Sequence, residues 1–386
     1  MVDSPRFMHF SDTHLGNREY MMDLRENDFY EAFNEAVDIA LEEHVDFIIH
    51  SGDLFDTWGP SNRALSELKD SMLRLKEKGI RTYMVMGDHD RPRRTDYPAA
   101  SIFDFLGLTL MGADDLDTHY IEDSGTFIAG ISNMKGSRLD ALPQMYARAD
   151  LMAKAYRNSI LISHQGVSGY THPEDVQVQE IDLPGSFAYL AFGHVHVSSY
   201  RERPRPFSYA GSTEINSASE IEPFLRDGKG VNIVDIDNGE VSFSRRRLKR
   251  PRIQIKIVTT KDGFIDDVER ALQKFENMVP GKKPLIISEV HGSSDFSYFK
   301  EKIAAYSDRG IFRRPLLVKE SAPAVKVGEH FDRGSLFMEY FRGDKKMTDL
   351  ALAAYNTATS ESQESAKERI LALILDGEKK GADKEP

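Results

Sequence analysis

The stretch Phe7-Met8-His9-Phe10-Ser11-Asp12-Thr13-His14 restricts the fold severely, because an apolar run stops at an acid and an imidazole two residues apart. A buried strand that ends this way delivers its last side chains beyond the carboxyl edge of a sheet. Such a pair is a poor choice for a core and a natural one for holding a metal. Four further stretches repeat the pattern after apolar runs: Gly52-Asp53, Gly87-Asp88-His89-Asp90, Ser163-His164 and Gly193-His194-Val195-His196. Singly, each has a bland reading as a core histidine or a Gly-Asp turn. Together and in this order they gather oxygen and imidazole donors at one place, with glycines letting the backbone turn tightly. Seven donors with one shared carboxylate make two metal sites rather than one. A bridging carboxylate holds two ions about 3.5–4 Å apart, the separation at which both act on one phosphate. The chemistry implied is hydrolysis of a phosphate ester.

Composition narrows the donor set. The chain has 386 residues, enough for two or three domains, and contains no cysteine. Disulfides, thiolate zinc sites and a cysteine nucleophile are excluded together, so any metal is held by oxygen and imidazole, which suits manganese, iron or zinc in a mixed site. No run approaches the roughly 20 apolar residues of a membrane span, and the N-terminus lacks a signal pattern. The expectation is a soluble protein of the cytoplasm. A net charge of −12 argues against binding nucleic acid over the whole surface, yet two basic clusters stand out. One is Arg245-Arg246-Arg247-Leu248-Lys249-Arg250-Pro251-Arg252. The other is Arg91-Pro92-Arg93-Arg94, directly after a ligand loop, where contact of Arg91, Arg93 and Arg94 with a phosphate backbone is expected.

Phe29, Phe33, Val37 and Leu41 give a helix over 25–43, and a start at Ser61-Asn62 followed by Leu65, Leu68, Met72 and Leu75 gives a second, stopped by Gly79. Strands are expected at 47–51 and 83–86, so the beginning alternates strand and helix and predicts an α/β layer structure. A helix is expected over 98–106. Short strands follow at 108–111, 126–131, 160–163 and 190–192, with one helix near 138–156. Strands at 209–212, 231–235 and 241–244 are expected to close a second sheet, the two sheets packing face to face with helices outside. After a domain boundary at Arg250-Pro251, strands at 253–258, 285–290 and 316–319 and helices at 264–275 and 296–306 predict a small α+β domain. The expected division is 1–250, 251–320, a linker over 321–334, helical segments over 335–376 and a disordered tail over 377–386. The helical segments are too small for a core of their own, and the linker before them favours burial in a partner's groove over packing on the body. His9 and His50 sit inside strands and are read as structural. Leu65, Leu68, Met72, Ile102 and Phe103 are read as core or as dimer surface.

The five ligand stretches resemble the calcineurin-like metallophosphoesterase superfamily. The wording His9-Phe10-Ser11-Asp12-Thr13-His14-Leu15-Gly16, Ser51-Gly52-Asp53-Leu54-Phe55, Gly193-His194-Val195-His196 and Tyr209-Ala210-Gly211-Ser212-Thr213-Glu214 is similar, more narrowly, to the Mre-eleven nucleases of double-strand-break repair in their archaeal form, with bacterial SbcD proteins as relatives. The resemblance covers about residues 6–245 by motif. It implies the two-sheet sandwich of that superfamily, a capping domain that contacts DNA, and a C-terminal helical tail. It implies that Asp12, His14 and His196 hold a first metal, that Asp53 bridges, and that Asp88, His164 and His194 hold a second. His89 would face the scissile phosphate without coordinating. The implied activity is manganese-dependent cleavage of DNA, exonucleolytic on double-stranded ends and endonucleolytic on single strands. A homodimer through nuclease-domain helices is also implied, as is docking of residues 335–376 on a Rad-fifty type ABC ATPase.

Two positions depart from the family wording. The third motif ordinarily reads Gly-Asn-His, whereas this chain has Gly87-Asp88-His89, so the centre carries one more negative charge and a slower hydrolytic step than in an Asp88→Asn variant is expected. Asp56 stands where many relatives have histidine, on the substrate side of the site. The alternatives are a small-molecule phosphodiesterase or protein phosphatase on the same scaffold, and a weakened DNA-end-binding scaffold.

Overall fold

The computed structural model describes residues 4–92, 97–292, 295–318, 337–338, 340–341 and 344–360. The chain opens with β1 (Arg6–Phe10), α1 (Asp23–Glu42), β2 (Phe47–His50), α2 (Asn62–Glu77) and β3 (Arg81–Val85). Ser61 caps α2 by accepting from the Ala64 amide, as its sequence pattern predicts. Next come a 3-10 helix (Ala99–Leu106), β4 (Leu108–Met111), β5 (Asp117–Ile121), β6 (Thr126–Ile131) and α3 (Leu142–Ala153). The body is completed by β7 (Asn158–His164), β8 (Tyr189–Gly193), β9 (Ser199–Arg201), β10 (Phe207–Tyr209), α4 (Ile221–Asp227), β11 (Gly230–Asp237) and β12 (Glu240–Arg247).

Two six-stranded sheets result, ordered β12-β11-β1-β2-β3-β4 and β5-β6-β7-β8-β10-β9. This corrects one expectation. The strands at 231–235 and 241–244 do not close the second sheet; β11 runs antiparallel to β1 in the first, and β12 pairs with β11. Along β1 the side chains alternate. Phe7 enters the layer between the sheets with Phe47, Ile49, Ile160 and Ile162, while Met8 and Phe10 face α1 and α2 with Phe33, Val37 and Met72. A third core packs α3 on the outside of the second sheet around Tyr146, Leu161 and Phe192. Strands β1, β2 and β3, and likewise β7 and β8, run parallel within their sheets. Each set therefore ends along one edge, and those edges carry the ligand loops.

Beyond Arg250-Pro251 lie β13 (Gln254–Thr260), α5 (Phe264–Phe275), β14 (Leu285–His291), α6 (Phe296–Ala304), β15 (Ile311–Phe312) and β16 (Leu316–Val318), forming a third, four-stranded sheet. Its core takes in Ile221 and Phe224 of α4 together with Val268 and Leu272 of α5. A buried charge network reinforces the join: Arg25 pairs with Glu19, Asp28 and Glu214, and Asp28 also holds Arg252 and Lys282. Shared core and network explain why Met1–Lys319 forms one compact unit, with Glu320–Pro386 as the second. In that second unit α7 (Lys345–Ser360) realises part of the expected helical tail, with Tyr355 edge-on to Phe337. The expected linker, the segment around Ile370 to Leu375 and the expected disordered end lie outside the described residues.

Candidate metal centre

The ligand loops are shaped by backbone that ordinary residues avoid. Asp12, His14, Asp53 and His194 all have positive φ, a strained conformation that persists where the surroundings enforce it and that concentrates at functional sites. Gly87 must be glycine because a Cβ there would collide with the Asp53 carboxylate. Asp90, buried behind the loops, accepts from the amides of Leu54 (3.2 Å), Phe55 (3.0 Å) and Gly87 (3.0 Å). It thereby ties the second ligand loop to the third.

All seven expected ligands come together. Donor atoms of Asp12, His14 and His196 form one group and those of Asp88, His164 and His194 a second. Asp53 lies between them, its Oδ2 3.9 Å from Nε2 of His14 and 3.4 Å from Nε2 of His164. Its other oxygen accepts from the amide of His89 at 2.9 Å. The tautomers are set from outside. His164 Nδ1 donates to the Ser51 carbonyl at 2.7 Å, which turns the lone pair of Nε2 toward Asp53 and Asp88. His196 Nδ1 donates to Glu220 at 2.9 Å, leaving its Nε2 3.2 Å from Nε2 of His14.

Donor chemistry of this kind calls for cations. Nε2 of His164 and Nδ1 of His14 are buried without a hydrogen-bond partner, and Nε2 of His164 faces carboxylate oxygens. A proton is the other way to satisfy that nitrogen. Although burial lowers the His164 pKa, Asp53 and Asp88 raise it well above its ordinary value. Four imidazoles and three carboxylates therefore fit two divalent ions.

His89 belongs to neither of these groups, yet one of its donor atoms lies within 4.8 Å of donor atoms of His14 and Asp53. Its Nδ1 donates to the Asp56 carbonyl at 2.7 Å, so Nε2 is the ring nitrogen available to the adjoining cleft of about 770 Å³. Burial lowers its pKa, but Asp53, the Asp56 carbonyl and Asp88 outweigh this and raise it. Asp56 is itself beside the site, its carboxylate 3.7 Å from Nδ1 of His14.

A family model described as calcineurin-like phosphoesterase matches residues 5–198. The DNA double-strand break repair protein Mre11 of Thermoplasma acidophilum is 40% identical over 97% of this chain and 100% of its own length. The proteins of the same description from Saccharolobus solfataricus and Methanococcus maripaludis are 36% and 27% identical, covering 84% and 93% of this chain and 81% and 96% of their own lengths. The chain belongs to the Mre11 family. As in the sequence-based expectation, the fold is the calcineurin-like one.

Several residues of this Mre11-family centre escape sequence reasoning. Glu220, at the start of α4, is held by Lys229 (2.5 Å) and Ser212 (2.9 Å), and Lys229 also donates to the His196 carbonyl at 3.1 Å. Lys135 donates to Oδ2 of Asp88 at 2.8 Å. Of the three arginines expected at a phosphate backbone, one lies among the described residues. Arg91 turns inward, donating to the carbonyls of Ala113 (2.6 Å) and Asn133 (3.0 Å) and pairing with Asp114. Arg93 and Arg94 lie outside the described residues. His9 and His50 are buried among protein partners, His9 bonded to Tyr189 and Ser51 and His50 to Thr13, in keeping with structural roles.

Proposed function

We propose that the chain is a two-metal, manganese-dependent DNA nuclease of double-strand-break repair, exonucleolytic on double-stranded ends and endonucleolytic on single strands. The carrying observation is the paired donor groups joined through Asp53, with His89 beside them, in a chain closely similar over its whole length to Mre11 proteins. Asp12, His14 and His196 would hold one ion, Asp88, His164 and His194 the other, and Asp53 both. When bound, two divalent cations supply Lewis-acid polarisation of the phosphate and acidify water. The all-nitrogen-and-oxygen donor set suits manganese.

The chain's own residues then do the positioning. His89, fixed through Nδ1, presents Nε2 toward the cleft, where it can stabilise charge on the phosphate or protonate the leaving oxygen. The sheet beyond Arg250 is read as a capping domain for DNA, and the tail over 335–376 as the part that docks on a Rad-fifty type ABC ATPase. A homodimer is supported by the exposed apolar side chains of Ile102 (60%), Phe105 (67%) and Leu73 (41%), since Leu68, Met72 and Phe103 are core. An intracellular site of action alongside DNA follows from the reading. Among the described residues no helix is long and apolar enough to cross a membrane.

The test offers the chain manganese with end-labelled duplex, single-stranded DNA and a chromogenic phosphodiester. DNA cleavage that is lost in His89→Ala is expected. Turnover of the small ester alone would replace the nuclease with a small-molecule phosphodiesterase, and bound metal without any turnover would leave a scaffold.

A further inference from the structure

Asp88 divides its two oxygens between different neighbours. Oδ1 lies 3.5 Å from Nε2 of His164 and 3.4 Å from Nδ1 of His194, within the second donor group. Oδ2 points the other way and accepts from the Lys135 ammonium at 2.8 Å. The loop carrying Lys135 is fastened to the strands that deliver this group. The Asn133 amide donates to the Met86 carbonyl at 2.8 Å, immediately before Gly87 and Asp88, and the Asn133 side chain donates to the His164 carbonyl at 2.9 Å. Gln177 fixes the Met134 carbonyl at 2.7 Å. Lys135 therefore starts from a rigid base at the edge of the cleft.

We propose that Lys135 is a positioning residue of the second metal site, holding Oδ2 of Asp88 so that Asp88 ligates through Oδ1 alone and its charge is offset by the ammonium. The inference rests on the two-metal reading. An aspartate free at both oxygens can chelate an ion and adds a full negative charge to the centre. An aspartate tied to an ammonium offers one oxygen and a partly offset charge, closer to what a neutral carbonyl ligand would offer. The other two carboxylates of the centre are held by neutral donors: Oδ1 of Asp53 accepts from the His89 amide, and Asp12 accepts from the Ser11 hydroxyl and the His194 amide. The side chain of Lys135 is 59% exposed, so solvent screens it and its replacement should leave the fold intact.

The test is calorimetric titration of the full chain with manganese chloride, run beside nuclease kinetics at saturating manganese. Wild type, Lys135→Met, Lys135→Arg, Asp88→Asn and the Asp88→Asn/Lys135→Met double variant are compared. Lys135→Met is expected to tighten one of two manganese sites about tenfold and to lower kcat by a similar factor, with KM for DNA little changed. Lys135→Arg should restore both values. In the Asp88→Asn background the same replacement should change affinity and kcat less than about threefold, because an ammonium with no carboxylate to hold swings into solvent. Unchanged affinity in Lys135→Met, with two ions still bound, would overturn the proposal alone. An equal effect in both backgrounds, or a change in KM only, would overturn it in favour of a direct substrate contact. Wild-type chain that takes up fewer than two ions would overturn the two-metal reading and this inference with it.

Discussion

The two halves of the metal centre use the same donor chemistry but are held from behind in opposite ways. In the first half His196 leans on Glu220, and Glu220 on Lys229, whose ammonium donates to the His196 carbonyl, to Ser212 and to Glu220. Glu220 and Lys229 are buried, and all three ammonium donors are used. In the second half the supporting cation, Lys135, is mostly in solvent and reaches in to Asp88 with its ammonium. Burial makes the first support rigid and costly to disturb. Exposure makes the second cheap to alter. One half fixes geometry; the other tunes charge.

Asp53 is where the comparison can be broken outright, because its Oδ2 serves both halves. Asp53→Asn is expected to reduce manganese-dependent cleavage by more than about 100-fold, beyond the usual effect of losing a supporting residue. Calorimetry should then find fewer than two ions. If two ions still bind with wild-type affinity, Asp53 does not bridge.

Removal of Glu220 ranks next. Glu220→Ala strands a buried ammonium and frees His196 to rotate, so a stability loss of about 3–5 kcal/mol is expected from chemical denaturation. Affinity for one manganese ion should fall about 10- to 100-fold. Lys135→Met, by contrast, should leave denaturation midpoints unchanged. Equal stability losses from the two changes would erase the distinction between a buried support and an exposed one.

Acid separates them again. Burial raises the Glu220 carboxyl, but Lys229 and His196 outweigh it and hold the group well below the usual carboxylate range. A depressed folded-state pKa contributes stability that is fully present above the unfolded value, about 4.3, and lost as the pH falls through the folded value. Without metal, the Tm gap between wild type and Glu220→Gln should narrow as the pH drops below about 4. Lys135→Met should depart from wild type far less, because its ammonium is mostly in solvent. A constant gap would mean that Glu220 supports His196 without this ionic contribution.

This asymmetry is only half legible in the sequence. The donors announce themselves, since an apolar run that stops at Asp12, Asp53 or His194 makes poor sense as core and good sense as a ligand loop. The alternation within 230–247 likewise marks two strands. Alternation says which face is buried and nothing about the neighbour, so pattern alone places β11 and β12 in the wrong sheet. The supports are silent. Glu220 lies in a short helical stretch with no repeated pattern, and Lys229 and Lys135 resemble ordinary surface lysines until the fold brings their carboxylates to them. Arg25 is the extreme case: on an amphipathic helix an arginine is read as solvent-facing, yet here three acids hold it fully buried.

Arg91 carries the smallest expected effect and the sharpest contrast with Lys135. Both cations stand beside the second half of the centre, but Arg91 is bound by two carbonyls and Asp114 whereas Lys135 remains largely exposed. Burial lowers the Arg91 pKa, with Arg138 adding to the effect, as expected of a guanidinium drawn into the protein. A cation that contacts DNA phosphate contributes about one unit to the slope of log affinity against log salt. Arg91→Ala should therefore leave that slope unchanged while lowering Tm by a few degrees through the lost loop contacts. A slope reduced by about one unit would return Arg91 to the DNA-binding surface. It would also mean that the loop opens when DNA arrives, since the guanidinium must leave two carbonyls to reach a phosphate.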